Sequence, residues 1–144
     1  MISQPVKTVM ERESLLTTPP ETVVSAAAEL MAVRKVGAIM VVENDNLVGI
    51  FTERDALFKV MARGLDPKST RLADVMTRSP QTIDPEKSFG YALLTMHKNG
   101  FRHLPVVENG KLIGIVSARN ALDPDLEEFV SESRRREQIL RESK

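Results

Sequence analysis

VVENDNLVGIFTERDAL, running from Val41 to Leu57, returns as VVENGKLIGIVSARNAL from Val106 to Leu122. The shift is about 65 residues and continues upstream without a gap, so that Thr17, Pro20, Glu21, Ala27 and Met31 fall on Thr82, Pro85, Glu86, Ala92 and Met96. Identity at so many positions in one register means that the chain is two copies of one unit.

Within each copy the apolar period changes twice. After Pro20, the residues Val23, Val24, Ala27, Leu30 and Met31 have helical spacing. Thr18-Pro-Pro-Glu21 predicts the start of this helix as a capping box with proline in the first turn. In the second copy Asp84-Pro-Glu predicts the start, Phe89, Ala92, Leu93 and Met96 form the stripe, and Gly100 is the stop. Two β-branched runs follow in each copy: Ala38–Val42 and Leu47–Phe51, then Leu104–Val107 and Leu112–Val116. Asn-Asp-Asn joins the first two and Asn-Gly the second two, which is a hairpin signal. A second helix is expected from Thr52 to Arg63, ended by Gly64, and its counterpart starts at Ser117.

Helix, strand, strand and helix after a short extended lead-in make a mixed α/β (α+β) unit of βαββα type. One such unit exposes a sheet face and two helix stripes that it cannot cover, so two copies are expected to pack face to face with pseudo-two-fold symmetry. The boundaries read as a first repeat over 1–64 with its lead-in segment, a linker at 65–70, a second repeat over 71–122 and a charged tail over 123–144. The tail carries only Leu126, Phe129, Val130, Ile139 and Leu140 as large apolar residues. It reads either as a helix docked on the module or on a second chain, or as a solvated tail.

Composition narrows the function. The chain has 144 residues, 20 basic and 20 acidic, with 42% hydrophobic and 4% aromatic residues and no Trp. Zero formal charge and few rings argue against a nucleic-acid partner, which needs excess Lys and Arg or a stacking platform. The absence of Cys removes thiolate chemistry and fits a cytoplasmic protein. The longest apolar run, Val36–Val42, is far short of a membrane span, and MISQPVKTVMERE has no signal-peptide design. There is no glycine-rich phosphate loop, no nucleophile elbow and no His-Glu-x-x-His, so neither a catalytic nor a metal site is expected.

Gly49-Ile-Phe-Thr-Glu-Arg-Asp55 and Gly114-Ile-Val-Ser-Ala-Arg-Asn120, with Phe101-Arg-His-Leu-Pro-Val-Val107 and Asp74-Val-Met-Thr77, resemble the tandem cystathionine-β-synthase (CBS) domain pair, or Bateman module. The resemblance covers roughly residues 6–122, and its strength lies in loose motifs repeated in order and in register. It implies a pseudo-symmetric disc with two clefts that take adenosine compounds such as AMP, ADP, ATP, NAD or S-adenosylmethionine. It also implies a regulatory, signal-transducing role in place of catalysis, and pairing into a homodimer.

Thr52 and Asp55 stand at a strand-to-helix turn. A carboxylate there can accept two hydrogen bonds from a ribose diol, or it can form an ordinary capping pair with Thr52 and meet no ligand; the resemblance favours the ribose. Ser117 and Asn120 hold the same places in the second copy. An Asn has one acceptor oxygen and no charge, so that cleft is expected to be weaker, altered in specificity or empty. The resemblance further assigns to the Asp55 cleft Gly37 and Ala38 near the base, and Thr77, Ser79 and Pro80 from the second lead-in. Without it, Gly37 and Ala38 read equally as close packing of helix on strand. Arg102 and His103 replace those two small residues in the second copy and read as an anion site or as salt-bridge partners. His103 would titrate near neutrality if exposed. Arg54 and Arg119 match each other and suit phosphates or surface pairing, while His97 reads as a surface residue.

Two functions follow. One is a sensor in which an adenine nucleotide binds between the repeats and changes contacts with a regulated protein. The other is a constitutive dimerisation scaffold that has lost its ligand, a reading favoured by Asn120 and opposed by the intact Thr52–Asp55 motif.

Overall fold

Asn44-Asp45 and Asn109-Gly110 turn the two hairpins, and all four residues have positive φ, between 51° and 79°. Two successive left-handed residues match the twist of the flanking strands, which is why Asn, Asp and Gly stand there. The computed structural model describes residues 2–121, 133 and 135–142. The first repeat consists of β1 (Thr17–Thr18), α1 (Val24–Arg34), β2 (Ala38–Glu43), β3 (Asn46–Thr52) and α2 (Glu53–Asp55), which continues as a π turn over Ala56–Met61. The second consists of α3 (Leu72–Val75), β4 (Thr77–Arg78), α4 (Phe89–Asn99), β5 (His103–Glu108), β6 (Lys111–Ser117) and a 3₁₀ turn at Ala118–Ala121. A 3₁₀ turn at Val6–Thr8 precedes the first repeat. The mixed α+β class and the two-unit architecture agree with the sequence reading.

The helix starts do not. Thr17 and Thr18 pair in parallel with Met40 and Val41, and the chain then turns at Pro20-Glu21, Thr22 N donating to the Pro19 carbonyl at 3.2 Å. Thr18 therefore bonds Thr22 (Oγ1 to Oγ1, 2.7 Å), and α1 begins only at Val24 with no side-chain cap. The carbonyls of Thr70 and Pro67 accept instead from Val24 N and Ser25 N, so the segment between the repeats caps the first helix. In the second copy Asp84 closes a turn onto Glu86 N, and Ser88 caps α4 by accepting from Tyr91 N. Gly100 ends α4 in the left-handed conformation at φ 72°.

The four-stranded sheet runs β1-β2-β3-β4, and β5-β6 form the second sheet. Strand β4 belongs to the second repeat in sequence, yet it pairs antiparallel with β3 of the first, Ile50 opposite Thr77. The other lead-in crosses the opposite way: Glu11 bridges Ile115, and Val6 is buried with Phe89, Met96, Leu104 and Val116. Leu72, Val75 and Met76 likewise fill the first core with Ile39, Phe51 and Val60. Each lead-in is thus seated on the other repeat. Gly49 and Gly114 permit the crossing, because a Cβ at Gly49 would overlap Met76 and one at Gly114 would come within 2.8 Å of Met10 Sδ and 3.1 Å of the Glu11 carbonyl oxygen. Between the sheets lies a third cluster of Ala38, Met40, Ile50 and Ile115. Of the tail, residues 135–142 are helical, with Ile139 and Leu140 exposed; Leu126, Phe129 and Val130 lie outside the described residues.

Candidate ligand-binding clefts

Two cavities lie at the ends of the central strands, related by the internal repeat. The smaller, about 490 Å³, is lined by Thr52, Arg54, Asp55, Thr77, Pro80, Arg102 and His103, together with Ile50, Glu53, Leu57, Phe58, Gln81, Gly100 and Phe101. Thr52 is extended at φ −119°, and Asp55 is the third residue of the helix it opens. Their capping box is complete: Asp55 N donates to Thr52 Oγ1 at 3.2 Å and Thr52 N to Asp55 Oδ2 at 3.0 Å. Asp55 Oδ1 pairs with Lys59 Nζ at 3.1 Å. A carboxylate has about four lone-pair directions, so two remain for a ligand while the side chain is held from behind. Lys59 also reaches Thr77 Oγ1 at 3.4 Å, tying the carboxylate to the lead-in strand of the other repeat.

The larger cavity, about 1020 Å³, is lined by Gly37, Ala38, Ser117 and Arg119, and also by Glu11, Ser14, Arg34, Lys35 and Glu53. Gly37 and Ala38 therefore do not join Asp55, where the family resemblance assigns them; their repeat-mates Arg102 and His103 line the Asp55 cleft instead. Gly37 gives room to side chains rather than to a base, since a Cβ there would lie 3.1 Å from Glu53 Oε1 and 3.3 Å from His103 Nε2. Ala38 is buried between the sheets. Ser79, at φ 45°, lines neither cavity, its N–H donating to the Val48 carbonyl.

Arg102, His103 and Glu53 line both cavities and form the partition between them. Arg102 is exposed and has no salt bridge among the described residues. His103 is partly buried. Burial lowers its pKa below the ordinary 6.5, opposed by the carboxylates of Glu53 and Glu11 and assisted by Arg102. It is thus held neutral, where exposure would have let it titrate near neutrality. Arg54 lines the smaller cavity with its Nη1 donating to the Gly100 carbonyl at 2.9 Å, capping α4 of the other repeat. Behind the lining of the larger cavity Asn120 is buried, with Oδ1 accepting from Ser117 N at 2.7 Å and Ser117 Oγ at 3.2 Å.

Lys59, Glu53 and Glu11 were not singled out from the sequence. Lys59 carried a usable signal, four residues after Asp55 on the same helix face. No group of three or more metal-ligating side chains occurs among the described residues, and no helix among them is long and apolar enough to cross a membrane.

The family model described as CBS domain matches residues 6–62 and 72–125. Among curated proteins, the CBS domain-containing protein CBSCBSPB3 of Arabidopsis thaliana is 39% identical over 108 residues, covering 74% of this chain and 19% of that protein. The chain spans from 16% to 63% of the first three curated relatives. Among solved structures, a putative signal-transduction protein with CBS domains from Burkholderia ambifaria superposes with a TM-score of 0.80 at 30% identity, over 86% of this chain and 95% of that one. The CBS domain protein PAE2072 from Pyrobaculum aerophilum, complexed with AMP, shares the fold with a TM-score of 0.73 at 23% identity, over 81% and 88%. With two matched copies covering most of its length, the chain belongs to the CBS domain family, as a tandem pair.

Proposed function

We propose that the chain is a regulatory module that binds an adenosine compound in the Asp55 cleft and passes the occupancy to a partner protein. The observation that carries this reading is a cavity of about 490 Å³ shared between repeats, with a pre-oriented carboxylate on one side and, on the other, the guanidinium of Arg102, which has no salt bridge among the described residues. Asp55 accepts the ribose hydroxyls, Thr52 and Thr77 border the sugar, and Arg102 meets phosphate. The half-exposed apolar wall of Leu57 and Phe58 suits a purine face. The AMP held by the Pyrobaculum relative supports the ligand class; AMP, ADP, ATP, NAD and S-adenosylmethionine all present the same ribose and base. Because the ligand touches both repeats, it binds one relative arrangement better than another, which is what a signal requires. Exposed Leu30 and Val33 on α1, Met61 after α2, and Tyr91 and Leu94 on α4 support association into a homodimer.

Thermal unfolding against these five compounds tests the reading. A ligand at about 100 times its Kd adds about 2.7 kcal/mol, and Arg102→Ala reduces that gain. No shift with any compound, in protein shown to be nucleotide-free, would leave the constitutive dimerisation scaffold as the better account.

A further inference from the structure

The lead-in phrases Val9-Met10-Glu11-Arg12 and Val75-Met76-Thr77-Arg78 are also copies, with one more residue in the first copy before the repeats fall into register. Their places in space correspond: Thr77 lies opposite Ile50, and Glu11 opposite its repeat-mate Ile115. Each cleft therefore joins a helix-start residue of one repeat to a lead-in residue of the other. In the smaller cleft the pair is Asp55 with Thr77; in the larger it is Asn120 with Glu11. The acid has changed sides.

The change has a geometric result. The hydrogen bond and ion pair of Asp55 go to Thr52 and Lys59, neighbours on its own chain segment, and the carboxylate still lines its cavity. Asn120 bonds across the gap, Nδ2 donating to Glu11 Oε1 at 3.0 Å, while Glu11 Oε2 accepts from Ser14 Oγ at 2.6 Å. Ser117, Ala118, Arg119, Glu11 and Ser14 all line the larger cavity, but Asn120 does not. It stands behind Glu11, with its oxygen and one N–H already used.

We propose that Glu11 is a specificity-determining residue that latches onto Asn120 and closes the ribose position of the larger cleft, so that the chain takes one adenosine ligand, in the Asp55 cleft. The inference rests on the ribose reading of Asp55 given above. A ribose diol entering the larger cleft would have to break the Asn120–Glu11 bond and would find a neutral amide with no spare acceptor in return.

Calorimetric titration with AMP decides it, using wild type, Asp55→Ala, and the double variant Glu11→Thr with Asn120→Asp, which copies the smaller cleft into the larger. Wild type is expected to bind one AMP per chain and Asp55→Ala none. The double variant is expected to bind two, the second within about tenfold of the first. Glu11→Thr alone, which leaves Asn120 in place, is the control should the double variant unfold, and is expected to gain a second, weaker site. Two AMP per wild-type chain, binding that survives in Asp55→Ala, or a folded Glu11→Thr or double variant with no added site would overturn the proposal. If wild type binds none, the Asp55 reading fails by itself. The latch then stands if the double variant binds one AMP and falls if it binds none.

Discussion

Replacing Asp55 by Asn separates a residue that caps a helix from one that binds a ligand, because the protein already contains the substituted version of the same corner. In the second repeat Asn120 Oδ1 accepts from Ser117 N at 2.7 Å, as Asp55 Oδ2 accepts from Thr52 N at 3.0 Å. Asp55→Asn therefore keeps the cap that Asp55→Ala would lose at about 1 kcal/mol. With the amide oxygen on Thr52, the amide nitrogen faces Lys59, and the 3.1 Å ion pair is lost. Lys59 is about one-third exposed and can turn to water, so this loss costs about 1 kcal/mol or less, a fall of about 2–4 °C in Tm. Binding responds more strongly. Hydrogen bonds to a charged group contribute about 1.5–3 kcal/mol, so Kd for AMP should rise at least about tenfold. At a ligand concentration giving wild type about 2.7 kcal/mol, the variant then gains about 1.4 kcal/mol or less. Differential scanning fluorimetry with and without AMP reads both quantities in one experiment. A variant that unfolds near the wild-type temperature and keeps its full AMP shift would show that Asp55 is a cap and nothing more.

Gly49→Ala should destabilise the fold by about 1–3 kcal/mol in urea unfolding, since the new methyl meets Met76 where that side chain is buried in the first core; an unchanged midpoint would mean that the lead-in is not held there. His103 supplies a pH test. Its pKa is lowered in the folded state, so the unfolded chain binds the extra proton, and stability is unaffected above about pH 6.5 and falls as pH drops below it. His103→Gln should flatten the stability profile between about pH 5 and 7 relative to wild type. Glu53→Gln removes the largest opposing charge, so the His103 pKa should fall further, read by NMR titration of its ring protons. A rise would reverse the electrostatic assignment. Arg54→Ala removes the 2.9 Å bond to the Gly100 carbonyl and should cost about 1 kcal/mol of stability with no change in AMP affinity; a large loss of affinity would return Arg54 to the phosphate site.

Local chemistry made the repeat, the hairpins and the Thr52–Asp55 corner legible. Positive φ at Asn109 and Gly110 and reciprocal bonds between residues three apart need no distant partner, so residue type and spacing suffice. What failed was long-range. Thr18 and Glu21 make a sound capping pattern, yet pairing of Thr18 with Val41 overrides it. The family resemblance groups Gly37 and Ala38 with Asp55, whereas in the folded chain they line the other cavity with Ser117 and Glu11. Glu11 itself lay upstream of the gap-free register, where one extra residue hides its match to Thr77. By itself the sequence determined two copies of one α+β unit and the residue types at each helix start. The tertiary structure alone decided that Gly37 and Ala38 line the larger cavity and that Glu11 bonds Asn120, because both follow from how the repeats pack on one another, with Val6, Leu72 and Met76 buried in cores far from them in the chain.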